Sequence, residues 1–219
     1  MDPPSEANTI WRNKTSGNKR KTAFKEVQLK LRRMAAGRAR CMYCEDSLGT
    51  DIDHFRPKAA HASFAFSWTN YLLACSHCNS NEKRDEFPVA TNGEPLLLDP
   101  TRDEPLQHFV LVPETGWLEP MTPQGEETER VFGLNRRDDL TQGRADVWTT
   151  MTALVRDFGA AQARKDDAAM TRIVGTARRL SFQAAVQYFV AEALSGSKLV
   201  AHDIAQTIQS AKAHWAWAL

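Results

Sequence analysis

The 219-residue chain is short of nearly everything that marks a specialised class of protein. Four cysteines are too few for a disulfide scaffold, and 11 glycines and 10 prolines too few for a collagen-like or disordered chain. No apolar run approaches the roughly 18 residues a membrane span needs, and Met1 to Ile10 lacks the charged-then-apolar order of a signal peptide. An excess of one charge is missing too: 28 Lys/Arg stand against 27 Asp/Glu, a net of +1. What is present, 42% hydrophobic and 25% charged residues, suits one or two globular units with a real core. The expectation is a soluble, cytoplasmic protein with no membrane association.

Near-neutrality argues on its face against a polyanionic partner, but the sum hides an asymmetry. Residues 1–40 hold 11 Lys/Arg against Asp2, Glu6 and Glu26, a net of +8, while residues 41–87 and 88–219 carry −3 and −4. A basic end on a mildly acidic body fits an arm that meets nucleic acid, an acidic membrane surface or an acidic partner. A solvated, Lys-rich helix face is the bland alternative.

The cysteines are concentrated, as Cys41-Met-Tyr-Cys44 and Cys75-Ser-His-Cys78. Each C-x-x-C forms a knuckle presenting two thiolates, and two knuckles complete a tetrahedron around a structural zinc. Redox use of one pair explains neither the second pair nor their common segment. The 30 residues between the pairs exceed ordinary zinc-ribbon spacing, so the intervening loop carries something of its own.

The pattern divides the chain into a basic helical arm (1–40), a zinc-stapled motif (41–90), a β extension or linker (91–138) and a helical region (139–219). Phe24, Val27, Leu31 and Met34 recur at helical steps within 19–40, which Gly37 is expected to end. A short strand is expected over 50–55, a strand or helical turn over 68–74, and a short polar helix over 79–86. His108 to Val112 reads as β, with a turn at Gly116. Val147, Trp148, Met151, Leu154, Val155 and Phe158 form an apolar stripe. Ser181 is the expected N-cap of a helix reaching Leu194, and a last helix is expected over 199–217.

The chemistry concentrates in Asp51-Ile-Asp53-His54-Phe-Arg56-Pro-Lys58, with Asn70 and Asn79 around the second knuckle. A hard oxygen ligand such as Asp53 can hold a divalent cation on a scissile phosphate, with Asn79 offering a second oxygen. Neutral His54 can take a proton from attacking water. Asn70 is placed to bond backbone and hold the His54 strand. Arg56, Lys58, Lys83 and Arg84 are candidate phosphate contacts. His61 stays open, and His77 is expected to face solvent. Trp11 and Trp68 are candidates for stacking on bases, with Trp68 expected to pack the small motif core instead. A lone Asp-His pair is ordinarily a surface ion pair; its place between two zinc knuckles makes this one informative.

Cys41-x-x-Cys44, Asp53-His54-Phe55-Arg56-Pro57-Lys58, Trp68-x-Asn70, Cys75-x-x-Cys78-Asn79 and Lys83 together resemble the HNH endonucleases with a zinc-stapled ββα-metal motif. Within them the chain is most similar to the PtuB-type subfamily of Septu and retron antiphage systems. Leu96 to Pro100, Phe109, Val131 to Arg136, Leu140 and Arg144 are similar to downstream blocks of that subfamily. The resemblance implies an α+β fold: a ββα-metal motif stapled by four cysteines, with a basic helix before it and a β extension and helices after it. It implies Asp53 as metal ligand, His54 as general base, Asn70 as the middle Asn, and Asn79 where many relatives have a final His. An Asn there still supplies oxygen, which points to Mg2+ or Mn2+ beside the structural Zn2+. The resemblance alone implies a partner ATPase of the AAA or SMC-like ABC type (PtuA-type), and an antiphage nuclease acting on nucleic acid, DNA in preference to structured RNA such as tRNA. The rival class is a zinc-stapled module that binds nucleic acid or protein and cleaves nothing; it leaves Asp53-His54 and Asn79 without a purpose.

Overall fold

The structure, a computed structural model, describes residues 3–219. It opens with a helix that the sequence pattern did not suggest, α1 (Pro3–Arg12). The basic helix α2 (Asn18–Met34) is shorter than expected. Ala35 turns extended and Gly37 takes a φ of 61° inside the short kinked turn α3 (Ala36–Ala39). Of the anticipated stripe only Leu31 is fully buried; Phe24 and Val27 are half-buried and Met34 is 51% exposed. The reason is the thinness of the neighbour. α2 rests on a two-stranded hairpin, where Leu31 meets Tyr71 and Leu73, and one hairpin face can cover only a narrow strip.

That hairpin pairs β1 (Asp51–His54) with β2 (Tyr71–Ala74) antiparallel, Asp51 opposite Ala74 and His54 opposite Tyr71. The period-2 geometry of a strand sends Asp51 and Asp53 to one face and Ile52 and His54 to the other. A 3-10 turn, Trp68–Asn70, feeds directly into β2, so both expected conformations occur in succession. After β2 the chain enters a π-helical segment, His77–Lys83, which starts inside the second knuckle instead of at Asn79. It stops at Arg84, whose φ is 49°.

A second hairpin joins β3 (Phe109–Val112) to β4 (Trp117–Pro120), Val112 facing Trp117. Gly116 closes it at a φ of 68°, and a Cβ there would run into the Thr141 carbonyl. The segment expected to be extension or linker then forms a helix, α4 (Pro123–Phe132). Its signals are local: Thr122 Oγ1 accepts the Gly125 N–H at 3.1 Å, Pro123 occupies the first turn, and Gly133 ends the helix in the left-handed region.

The remainder is helical: α5 (Asp138–Ala163), α6 (Asp167–Ala177), α7 (Gln183–Ser195), α8 (His202–Ser210) and the short α9 (Lys212–Trp215). The expected last helix breaks at Ala211. Ser181 does not cap α7. Phe182 holds the N-cap position with a φ of 55° and a buried ring, and the capping acceptor comes from far away, Glu45 Oε2 taking the Ala184 N–H at 3.0 Å. Glu45 follows the first knuckle, so zinc motif and helices are joined by a helix cap. They also share one apolar cluster, from Cys41 and Leu72 through Phe132 to Met151, Val155, Phe158, Phe189 and Trp215. Each such side chain contributes roughly 1.5–3 kcal/mol of burial. Among the described residues no helix is long and apolar enough to cross a membrane.

Candidate active site

The four cysteine sulfurs lie within 4.8 Å of one another and all four residues are buried. That is the donor set of a closed, tetrahedral structural site. The knuckles meet because Met42 N–H bonds Leu73 O at 2.8 Å, tying the first knuckle to β2, which itself leads into the second. The thiols bond one another and divide their protons unevenly. The contact with Cys44 pushes Cys41 up, and the contact with Cys41 draws Cys44 down to about 6 and lowers Cys75 as well. A dication held by Cys41, Cys44, Cys75 and Cys78 would resolve that competition by taking all four as thiolates.

Asp53 is not an open ligand. It is buried, its Oδ2 accepts the Tyr43 hydroxyl at 2.5 Å, and the same oxygen pairs with Lys83 Nζ at 3.1 Å. Lys83 also donates to the His54 carbonyl at 2.7 Å. Burial pushes the Asp53 carboxyl up, while Lys83 and Tyr43 pull it down. Lys83, expected among the phosphate contacts, is corrected by the same geometry. It is fully buried, and its ammonium is spent inside the motif. The π-helical winding carries it there. Tyr43 stacks on Phe132 of α4 at 4.0 Å, so the downstream helix backs this cluster.

Asn79 turns to a residue that the sequence pattern had not singled out for a role, its Nδ2 donating to Asp51 Oδ2 at 3.1 Å. Asp51 and Asp53 share a strand face, which is why the residue two before the expected ligand meets the second knuckle. With Asp53 paired to an ammonium and Asn79 offering its amide hydrogens to Asp51, these two side chains do not make a divalent-cation site as arranged here.

His54 lies on the opposite face of β1 and is buried. Its Nε2 is 2.9 Å from the Ala65 carbonyl. A carbonyl only accepts, so Nε2 carries the proton and Nδ1 keeps its lone pair, which makes no hydrogen bond among the described residues. Burial lowers its pKa to about 4, with the bond to Ala65 opposing. The imidazole is therefore neutral at pH 7, the form a general base requires. Asn70 bonds backbone on both sides of this position. Its Oδ1 accepts Arg56 N–H at 2.7 Å, and its Nδ2 donates to Arg56 O and Phe64 O at 3.0 and 3.1 Å. That fixes the turn carrying Ala65, and through it the His54 ring. The Trp11 ring of α1 packs edge-on against His54 with centroids 4.2 Å apart.

The other candidates lie around this centre. Arg56 places its guanidinium 5.4 Å from the rings of both Phe64 and Phe87. Lys58 is half-buried and Arg84 exposed. His61 packs on Phe87 at 5.5 Å. His77 is partly exposed, with its Nε2 2.9 Å from Glu82. Trp68 does not pack the motif core: it is 41% exposed, because Tyr71, Leu72 and Leu73 already fill the space beneath the hairpin.

Tyr43, Asp51 and Trp11 are the contributors that sequence reasoning missed or left undecided. Strand alternation was enough to pair Asp51 with Asp53. Nothing local pointed Tyr43 or Trp11 at the site.

Residues 41–85 match the family model described as HNH endonuclease, so the chain carries an HNH endonuclease domain that spans both knuckles and the hairpin between them. The likeness reaches further in one curated relative, described as Septu protein PtuB from Bacillus thuringiensis. It is 27% identical over 126 residues, covering 55% of this chain and 46% of the relative. The chain thus spans about half the length of the curated relative it matches. No solved structure matches the chain.

Proposed function

We propose that the protein is an endonuclease hydrolysing nucleic-acid phosphodiesters, DNA in preference to RNA, and that it serves as the nuclease of an antiphage defence system held in check by a partner ATPase of the PtuA type. The observation that carries the chemistry is the His54 ring. It is neutral, fixed by the Ala65 carbonyl through Nε2–H, and left with a free lone pair on Nδ1. In the hydrolytic step Nδ1 accepts a proton from water, the water oxygen forms the new bond to phosphorus, and the sugar oxygen departs with the P–O electron pair. A divalent ion, on which HNH enzymes depend, would neutralise the scissile phosphate; Asp53 and Asn79 would hold one only if Lys83 and Asp51 released them.

The exposed Lys and Arg of α2 carry no ion pair among the described residues, and a phosphate backbone is their natural counter-charge. The Trp11 ring of α1 lies against His54, so a partner that grips α1 would act beside the base.

The test is cleavage of plasmid DNA and of structured RNA with Mg2+ or Mn2+, with and without the ATPase, comparing wild type with His54→Ala. Metal-dependent cleavage lost in His54→Ala is expected. A wild type that cuts neither substrate in any metal, with the ATPase supplied, leaves the binding-module reading in its place.

A further inference from the structure

Between the strands of the HNH hairpin the chain exposes three large aromatic side chains within five residues. Phe64 is 42%, Phe66 47% and Trp68 41% exposed. They bracket Ala65, which is fully buried and whose carbonyl binds both the His54 ring at 2.9 Å and the Tyr71 hydroxyl at 3.0 Å. The segment is short, built of two 3-10 turns (Ala62–Phe64 and Trp68–Asn70), and pinned by Asn70. These rings therefore stand on a segment hydrogen-bonded to the candidate base. Isolated exposed apolar residues need no explanation, but three large rings within five residues beside a candidate active site do.

Cations are interleaved with the rings. Arg56 sits over Phe64, and Lys14 sits 4.9 Å above Trp11, which in turn lies 6.4 Å from Phe66. Lys58 follows Arg56 by two residues, and none of Lys14, Arg56 and Lys58 has a carboxylate partner among the described residues. Rings for flat apolar faces together with unpaired cations for phosphates are the two components of a single-strand binding surface. A protein-docking patch shares the aromatics and the arginine but is depleted of lysine, which Lys14 and Lys58 supply here, and a duplex keeps its base faces stacked on each other, out of reach of such rings.

We infer that Phe64, Phe66 and Trp68 form a stacking shelf for unpaired bases, with Arg56, Lys58 and Lys14 holding the adjoining phosphates. The substrate class is then single-stranded or locally unpaired nucleic acid: overhangs, flaps, loops or flipped nucleotides. This rests on the nuclease reading for its meaning, but binding tests it independently of cleavage.

The experiment measures fluorescence anisotropy of a labelled single-stranded 20-mer and of its blunt duplex. It uses the full-length zinc-loaded protein, without added Mg2+ or Mn2+ so that nothing is cut. Phe64→Ala/Phe66→Ala and Trp68→Ala are each expected to weaken single-strand binding about ten- to a hundredfold, the range for lost stacking aromatics. Duplex binding should stay within about twofold. Phe66→Leu, which keeps apolar bulk without a π face, should behave like Phe66→Ala. Unchanged zinc content and melting temperature show that the variants fold. Equal losses on both substrates, no loss on either, or full rescue by Leu would each overturn the shelf. So would intact oligonucleotide binding combined with lost association with the ATPase, since the rings would then be a protein dock. If the shelf variants bind normally while His54→Ala still abolishes cleavage, the shelf falls and the nuclease stands. If single strands bind through the shelf and nothing is ever cut, the nuclease falls and the shelf stands.

Discussion

The zinc motif and the C-terminal helices are held together by opposite means. Residues 41–90 have four-residue strands and a seven-residue π-helical turn, too little regular structure to bury a conventional core. Their interior mixes a few apolar side chains, chiefly Phe55, Leu72 and Leu73, with thiols, Asp53, His54, Asn70 and a fully buried Lys83. The helices from Asp138 onward bury Met151, Val155, Phe158, Phe189, Val190 and Ile204, nearly all apolar. The first region depends on a few directional contacts whose loss leaves a group unpaired. The second depends on many interchangeable ones. A motif held by polar contacts keeps the reactive groups in fixed positions, and the helical body supplies stability that this motif cannot generate for itself.

The comparison breaks first at the staple. Cys78→Ser should abolish the tightly held zinc, about one per chain in wild type by metal analysis. The motif should then lose its order in amide hydrogen exchange, since structural zinc contributes on the order of 10 kcal/mol. Next comes Lys83→Met. Stranding the Asp53 carboxylate should cost about 3–5 kcal/mol in denaturant unfolding, and adding Asp53→Asn should recover much of it. If Lys83→Met costs nothing, the buried pair is not a structural element. In the helices, Phe189→Ala should cost a similar 3–5 kcal/mol through the cavity it leaves, yet with zinc content unchanged.

A smaller effect follows pH. His54 is held near 4 in the folded protein, against an unperturbed value of about 6.5. Between these values the unfolded chain binds more protons, so stability is fully present above about pH 6.5 and falls as pH drops toward 4. The total is on the order of 3 kcal/mol. Urea unfolding at pH 7 and pH 4.5 should show this loss in wild type and a smaller one in His54→Gln. The smallest contrast is between caps. Thr122→Ala should cost about 1 kcal/mol, and Ser181→Ala close to nothing because Glu45 caps α7 in its stead.

How much was legible in the chain follows the range of the interactions. Both knuckles, the β1 strand, the Gly116 turn and the α5 stripe follow from residues within a few positions of each other, and all of them appear. The 91–138 segment reads as extension or linker, yet α4 forms in it, with Thr122, Pro123 and Gly133 marking its ends. Ser181 failed because a distant carboxylate reached the helix end first. Met34 and Trp68 were placed inward by pattern, but the hairpin beside them has too little surface to cover them.

The site divides in the same way. The four cysteines, His54 and Asn70 were nameable from spacing, since a knuckle is a local structure and a strand fixes alternation. What occupies each of their bonds was not. The pairing of Asp53 with Lys83 joins residues 30 positions apart through a short π-helical turn, Tyr43 is aimed by stacking on α4, and Trp11 arrives on a separate helix. Spacing over a few residues is enough to settle a hairpin flanked by two cysteine knuckles and bearing an aspartate, a histidine and two asparagines. Only the tertiary structure decided which carboxylate is neutralised, which face of the imidazole is free and which aromatics stay in solvent, because each depends on competition among groups far apart in the chain for the same few partners.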